Sequence, residues 1–234
     1  MGLSTNAPII LLPGMDGTGQ LLKPLAERLS ANRPTHIIAY PFDPYLDYDQ
    51  LARFVGERLP RHRFVILGES FSGPIAIEIA ATNPRVAGLI LASSFARHPL
   101  PRWMSPLTWL LDARWMPSAL MAAAIMGSAT TPELRQRLQD VLCSLPPAVL
   151  RARAKDALRI DRRDRLRATT CPMLCMHGSA DLLIGQREIS DILAARPDCE
   201  LCELDAPHML LATHATAAAM VIDAFCERVA PVHD

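Results

Sequence analysis

The chain has 234 residues, half of which are hydrophobic, and 24 basic side chains balance 24 acidic ones to a formal net charge of zero. This length suits one domain and is sufficient to bury a substantial core. The lack of a basic excess argues against nucleic acid as the main partner, because phosphate binding usually requires one. The sequence has no signal-peptide pattern and no uninterrupted apolar stretch long enough to cross a bilayer, so we expect a cytoplasmic protein with no membrane span.

Short apolar runs alternate with helical patterns towards both ends of the chain. Strands are expected within residues 7–14, 35–42, 63–69, 86–94, 171–178 and 199–205. Helices are expected within residues 19–30, 47–59, 73–84, 185–197 and 215–229. The second of these helices starts near Asp47, a favourable N-terminal cap. Because the strands are apolar throughout, the pattern predicts an α/β fold with a mostly parallel six-stranded sheet and helices on both faces.

A long middle section separates the fourth and fifth predicted strands. Residues 96–168 contain no convincing strand, are rich in helical pattern and proline, and carry all three tryptophans. We therefore expect a core domain of residues 1–95 and 169–234, with residues 96–168 inserted as a helical cap. Ligands of open parallel sheets bind beyond the carboxyl ends of the strands, which is where such an insertion would lie.

Six cysteines raise the question of a disulfide or a metal site. Cys199 and Cys202 lie three residues apart in a predicted strand, so their side chains should point to opposite faces. Cys171 and Cys175 would share a face, but about 13 Å of strand separates them, which is too far for a disulfide. We expect reduced thiols, with no metal and no organic cofactor.

The stretch "FVILGESFSGPIAIEIA" places Ser70 between an apolar strand and a helix. Gly68 and Ser72 are small enough to permit a tight turn around it, and Pro74 fits the first turn of the helix. The turn is similar to the nucleophile elbow G-x-S-x-G, except that Ser72 replaces the second glycine and Gly73 follows. Taken alone, the motif is equally consistent with a nucleophile and with a structural turn.

Two later strands supply the partners that a serine nucleophile needs. Asp181 follows the fifth strand in "HGSADLLI", and His208 follows the last strand in "LDAPHMLLATH". The order Ser, Asp, His is the chain order of elbow-bearing hydrolases, and the carboxyl ends of parallel strands converge in space. We therefore predict a triad of these three residues. Neighbouring polar residues are interpreted as structural, namely His177, His214, Asp205, Ser93, Ser94 and Glu69.

The first loop, "LLPGMDGTG", contains three glycines after the first strand. Its spacing is G-x-x-G-x-G and no Gly-Lys-Ser/Thr follows, so it does not match a phosphate-binding loop. A loop in this place can instead lend a backbone N–H to an oxyanion hole, whose second donor would be the amide of Phe71. Asp16 and Thr18 are then most simply groups that shape the loop.

Together these motifs resemble those of a compact α/β-hydrolase, and the resemblance extends over the whole chain. The segments that carry it are "GESFSG", "HGSAD", "APHMLLATH" and "LPGMDG". The resemblance implies that Met15 provides the first oxyanion amide. The family usually has eight strands, whereas six are readable here. The layout is similar to that of small carboxylesterases and of the pimeloyl-carrier-protein methyl esterases.

The cap offers two hypotheses about the substrate. Most of its apolar side chains should pack against the sheet, but some should line an acyl pocket, and our candidates are Trp103, Trp109, Met116 and Met121. The basic segment "RARAKDALRIDRRDRLR" at residues 151–167 would, if helical, align four cations on one face, namely Arg151, Lys155, Arg159 and Arg162. That face is either simply solvated or a docking site for an acidic acyl carrier protein.

These observations predict a serine hydrolase that cleaves a small acyl ester through an acyl-enzyme intermediate. Two alternatives stay open. Thioester hydrolysis would use the same residues on a different substrate, and a ligand receptor would keep the pocket without using a nucleophile.

Overall fold

The computed structural model describes residues 6–99, 125–127 and 130–230. Within these ranges six strands form one sheet in which all neighbouring strands pair in parallel. The strands are β1 (Ile9–Leu12), β2 (Thr35–Ile37), β3 (Phe64–Glu69), β4 (Val86–Ala92), β5 (Met173–Gly178) and β6 (Glu200–Leu204). Their order across the sheet is β2-β1-β3-β4-β5-β6. The predicted six-stranded parallel sheet is confirmed.

Helices connect the strands, and three more lie within residues 132–168 of the middle section. They are α1 (Lys23–Leu29), α2 (Tyr48–Gly56), α3 (Gly73–Thr82), α4 (Pro132–Ser144), α5 (Pro147–Ala157), α6 (Arg163–Ala168), α7 (Gln186–Ala195), α8 (Leu210–Thr213) and α9 (Ala215–Val229). Helix α2 begins at the predicted cap, where Asp47 and Gln50 form a capping box with two reciprocal hydrogen bonds of 2.9 Å. None of the helices in the described ranges is long and apolar enough to span a membrane.

The sheet is covered on both faces, as its apolar strands require. On one face, helices α2, α3, α6 and α7 contribute to a core that includes Ile10, Leu51, Ile66, Ile75, Leu166 and Ile189. On the other face, helices α1 and α9 pack against the strands through Leu11, Leu25, Val65, Ile222 and Phe225. Two apolar layers of this kind enclose the four central strands, whereas the edge strands β2 and β6 are partly exposed.

The strand order reverses between β1 and β3. The chain leaves β1 towards β2 at one edge of the sheet, and it leaves β3 towards β4 on the opposite side. The loops after β1 and β3 therefore diverge from adjacent strand ends. A crevice of this kind at the carboxyl ends of a parallel sheet is the usual place for a ligand.

The two ends of the middle section lie side by side. Arg97 and Asp161 form an isolated antiparallel bridge. Around it, the amide of His98 donates to the carbonyl of Ile160 at 2.9 Å, and the amide of Arg162 donates to Ala96 at 2.7 Å. Such a neck is what an insertion that leaves and re-enters the sheet would have. We therefore propose residues 96–168 as a helical cap, with residues 1–95 and 169–234 as the core.

The structure corrects the interpretation of the basic segment. Helix α5 ends at Ala157, and a turn separates it from α6, so Arg159 and Arg162 do not continue the helical face of Arg151 and Lys155. Arg162 instead forms an ion pair with Asp49. The helical pattern continues through 151–167 in sequence, but residues 160–162 leave the helical conformation where they pair with residues 96–98 at the neck.

Candidate active site

Ser70 lies at the junction of β3 and α3 in a conformation that few residues other than glycine adopt. Its φ is +48°, a left-handed value that costs a residue with a Cβ about 1 kcal/mol or more. The turn also passes very close to the strand, because a Cβ on Gly68 would lie 2.6 Å from the carbonyl oxygen of Ser72. This strained strand–turn–helix geometry is the one that the sequence motif predicted.

Three side chains from distant parts of the chain meet beyond the carboxyl ends of the strands. Nε2 of His208 lies 3.0 Å from Oγ of Ser70. Nδ1 of His208 lies 2.8 Å and 3.0 Å from the two carboxylate oxygens of Asp181. An ionised carboxylate can only accept hydrogen bonds, so Nδ1 carries the proton and Nε2 is left to accept from the serine hydroxyl. The structure thus brings together the three residues that the sequence nominated.

The loop after β5 holds Asp181 in its ionised form. The side chain is fully buried, and Oδ1 also accepts the backbone N–H groups of Leu183 and Ile184 at 2.8 Å and 2.9 Å. Burial acts to raise the pKa of Asp181, but the hydrogen bond and charge of His208, together with the two amides, outweigh it and keep the pKa below its ordinary 3.8. Asp181 is therefore a carboxylate at neutral pH and can orient the imidazole.

Ser72 occupies the place of the second glycine in the elbow motif and ties the elbow to the loop after β1. Its hydroxyl donates to the carbonyl of Pro13 and accepts from the hydroxyl of Tyr40. A second serine supports the nucleophile directly, because Oγ of Ser94 donates to the carbonyl of Ser70 at 2.5 Å. The departure from the usual motif therefore adds a polar link between β1 and β3.

The loop of residues 13–19, called the glycine loop below, is folded into a tight turn. The amide of Gly17 donates to the carbonyl of Gly14 at 3.0 Å. In a trans peptide the N–H points opposite to the carbonyl of the same unit, so the Met15 N–H points out of the turn. The amide of Gly14 donates in turn to Oε2 of Glu69 at 3.2 Å.

The residue after Ser70 is held by an aromatic contact. The ring of Phe71 stacks on that of Tyr48, with 4.6 Å between the ring centres.

A buried carboxyl group lies beneath the glycine loop. Burial raises the pKa of Glu69 to about 8, and the nearby charge of Asp16 adds to this effect while the Gly14 amide opposes it. Asp16 shapes the loop as predicted, since it accepts the backbone amide and the hydroxyl of Thr18 at 2.8 Å and 2.5 Å. Glu69 is therefore mainly protonated at neutral pH, and it places no full negative charge next to the Gly14 amide.

Three of the neighbouring polar residues, His177, His214 and Ser93, lie outside the hydrogen-bonded chain from Ser70 to Asp181. His177 is buried at the end of β5. His214, interpreted from sequence as a structural cap, stands at the N-cap position of α9, although its side chain makes no capping bond. Its Nδ1 contacts Oγ1 of Thr213 at 2.9 Å instead. Like Ser70, Ser93 has a positive φ, here +45°. The residues around Ser93 did not predict this conformation.

Some predicted residues lie outside the described ranges. These are the proposed pocket residues Trp103, Trp109, Met116 and Met121. In the described part of the chain, no group of three or more His, Cys, Asp or Glu side chains is arranged to hold a metal ion. The six cysteines are free thiols in the structure.

Sequence reasoning missed Arg153. Its side chain is 1% exposed, and its guanidinium donates to the carbonyls of Met15 and Asp16 in the glycine loop. A signal was present, because Arg153 lies four residues after Val149 and four before Ala157, which places it on the buried stripe of α5. Only an arginine with partners across the interface can occupy such a position.

The comparison with known families agrees with this geometry. The sequence model of the family described as Hydrolase_4, serine aminopeptidase S33, matches residues 39–211. That span exceeds half of the chain and includes the serine, aspartate and histidine that meet at the strand ends. The chain belongs to this family. It is a hydrolase with the α/β-hydrolase fold, which confirms the resemblance seen in the motifs.

Individual proteins are also similar to this chain in sequence or in fold. The pimeloyl-[acyl-carrier protein] methyl ester esterase of Citrobacter koseri is 26% identical over 216 residues, covering 83% of this chain and 84% of the relative. The protein of the same name from Vibrio parahaemolyticus is 28% identical over 209 residues, covering 81% and 82%. Among solved structures, the enol-lactonase of Burkholderia xenovorans LB400 superposes with a TM-score of 0.84 at 18% identity, covering 94% of this chain and 91% of the other.

Proposed function

We propose that this carboxylic ester hydrolase works through an acyl-enzyme formed on Ser70. The observation that carries the proposal is the hydrogen-bonded chain from Ser70 through His208 to Asp181. Nε2 of His208 takes the hydroxyl proton as Oγ attacks the ester carbonyl, and it returns that proton to the departing alkoxide, which leaves as an alcohol. A water molecule then loses a proton to Nε2 and attacks the acyl carbon. The acid is released and Ser70 regains its proton.

The tetrahedral intermediates carry a negative oxygen that needs donors. We assign this role to the amides of Met15 and Phe71, which lie on the two loops that diverge from β1 and β3. The tight turn of the glycine loop and the stacked ring of Phe71 support the assignment, since a preorganised donor does not have to reorient during the reaction. Removing one donor of this kind typically lowers kcat by about 10²–10³-fold.

We propose the methyl ester of a carrier-linked pimeloyl chain as the substrate, with methanol as the first product. The support comes from the two methyl ester esterases, which match more than four-fifths of this chain. A thioesterase would use the same three side chains, so the class of leaving group is decided by assay. We propose that the cap covers the acyl chain, since ligands of such sheets bind at the strand ends where an insertion of this kind leaves the sheet.

A fluorophosphonate probe tests the nucleophile directly. We expect one phosphonyl group per chain, located on Ser70 by tandem mass spectrometry, and parallel loss of p-nitrophenyl ester hydrolysis. Preincubation with an ester substrate should slow the labelling. A protein that folds normally but gains no adduct would contradict the proposed mechanism and favour the ligand receptor. Faster turnover of an acyl-coenzyme A thioester than of the matched carrier-linked methyl ester would favour the thioesterase.

A carrier protein would dock through the exposed cations of the proposed cap. Lys155 and Arg159 are exposed near the end of α5, whereas Arg162 is held by Asp49. We therefore propose Lys155 and Arg159 as docking residues for an acidic carrier. In the double variant Lys155→Glu/Arg159→Glu, we expect kcat/KM for the carrier-linked ester to fall about tenfold or more at low salt, because electrostatic attraction mainly affects the rate of encounter.

Two comparisons separate docking from a general effect. The same double variant should cleave a p-nitrophenyl ester at the wild-type rate. Arg61→Glu reverses an exposed charge just before β3, at the end of the sheet opposite to the candidate active site, and should leave both substrates unaffected. Equal losses for the carrier-linked and the small ester would refute docking at these residues.

A further inference from the structure

Arg153 reaches from helix α5 of the proposed cap to the glycine loop. Its Nη1 donates to the carbonyl of Met15 at 2.9 Å and to that of Asp16 at 2.8 Å. Its Nη2 lies 3.4 Å from the carbonyl of Pro41. These acceptors lie more than 100 residues away in sequence, so the contacts exist only when α5 is packed on the core.

The glycine loop leaves space for the guanidinium of Arg153 because it has no side chain at Gly17. Gly17 has a φ of +70°, and a Cβ at this position would lie 2.4 Å from Nη1 of Arg153. The guanidinium also lies 5.6 Å from the ring centre of Tyr40, 5.7 Å from that of Phe42 and 5.9 Å from that of Phe71. Aromatic rings at such distances attract a cation. Burial lowers the pKa of Arg153, yet a guanidinium remains charged in proteins.

Glu69 and Arg153 bind the glycine loop on either side of the Met15 amide. Glu69 accepts the amide of Gly14, and Arg153 donates to the carbonyls of Met15 and Asp16. The amide of Met15 lies between these points. The peptide unit that carries the Met15 N–H is tied by its own carbonyl, that of Gly14, which accepts the amide of Gly17. Arg153 binds the carbonyls of the next two peptide units, so it holds the turn on which this orientation depends.

We propose that Arg153 is a positioning residue that orients the Met15 amide, and that α5 thereby completes the oxyanion hole. This inference rests on the proposed function, because it assumes an oxyanion formed on Ser70. Arg153 acts through the glycine loop, and the oriented Met15 amide stabilises the oxyanion of the transition state. A ligand without a carbonyl oxygen gains nothing from an aligned Met15 amide, and a neutral carbonyl gains less than an oxyanion does.

The test compares Arg153→Lys and Arg153→Met with wild type. We expect kcat for a p-nitrophenyl ester to fall about 10-fold in the lysine variant and about 10²-fold in the methionine variant, with KM changed less than threefold. The affinity of a trifluoromethyl ketone, which forms an oxyanion adduct on the serine, should fall by the same factors as kcat/KM. The affinity of the matched ether, which has no carbonyl oxygen to accept the Met15 amide, should change less than threefold.

Controls distinguish a loss of oxyanion stabilisation from a loss of folding, and a failure of this inference from a failure of the proposed function. Arg135→Ala removes an exposed arginine from α4 and should match wild type in all these measurements. If Arg153→Met does not fold, Arg153→Lys carries the test. Unchanged kcat in a folded Arg153→Lys variant, or equal losses of ketone and ether affinity, would overturn the inference alone. Absence of ester hydrolysis in wild type would overturn the proposed function and this inference with it.

Discussion

Replacing Ser70 or His208 with alanine should lower kcat for ester hydrolysis by about 10⁴–10⁶-fold while leaving the fold intact. Ser70→Ala removes the attacking oxygen, and His208→Ala removes the only base within 3.0 Å of it among the described residues. Because the two groups act as one unit, the double variant should be little slower than either single variant. The measurement is steady-state hydrolysis of a p-nitrophenyl ester, with circular dichroism to verify folding.

A matched histidine serves as the control for this prediction. His214 lies six residues after His208 and contacts Thr213 instead of the triad. His214→Ala should keep kcat within about threefold of wild type. Additive losses in the double variant would indicate that Ser70 and His208 act independently, and a folded His208→Ala variant with substantial activity would refute the assigned base.

Replacing Glu69 with glutamine should stabilise the protein at alkaline pH. The pKa of this carboxyl is raised from 4.5 to about 8, chiefly by burial. Between these two values the unfolded chain has released the proton that the folded protein still binds, so wild-type stability declines as pH rises through this window. Each unit of pKa difference corresponds to about 1.4 kcal/mol, which makes several kcal/mol the upper limit of the effect.

Glutamine removes this penalty and still accepts the Gly14 amide. The free energy of unfolding of Glu69→Gln should therefore exceed that of wild type by the largest margin above pH 8 and by little near pH 4.5. Urea denaturation across this range measures the difference. Glu188→Gln is the matched control, since Glu188 is also buried and accepts the amide of Gly185 at 2.9 Å. A pH-independent difference between Glu69→Gln and wild type would contradict the raised pKa.

The same substitution should alter the pH dependence of catalysis. Above pH 8, ionised Glu69 would place a negative charge at the Gly14 amide, next to the proposed oxyanion donor Met15. The wild-type kcat should then decline at alkaline pH, because that charge opposes the developing oxyanion. In Glu69→Gln the decline should be absent or displaced to higher pH.

Much of the fold follows from local sequence patterns. Helix α9 has the predicted bounds, residues 215–229, and α2 begins at the predicted Asp47 cap. Strand β2, at one edge of the sheet, is shorter than predicted and spans only Thr35–Ile37. The single helical face expected across residues 151–167 does not form, since the neck of the proposed cap interrupts it.

The candidate triad could be nominated from sequence because each member follows an apolar strand and the order Ser, Asp, His matches a known layout. Tight turns, helix caps and periodic burial depend on residues that are close in sequence, so they can be predicted from the sequence alone. The roles of Arg153 and Glu69 were decided only by tertiary structure. Arg153 binds carbonyls more than 130 residues away, and the pKa of Glu69 depends on packing from several elements. Burial of a charge is a property of the folded surroundings, and no local pattern encodes its cost or its partners.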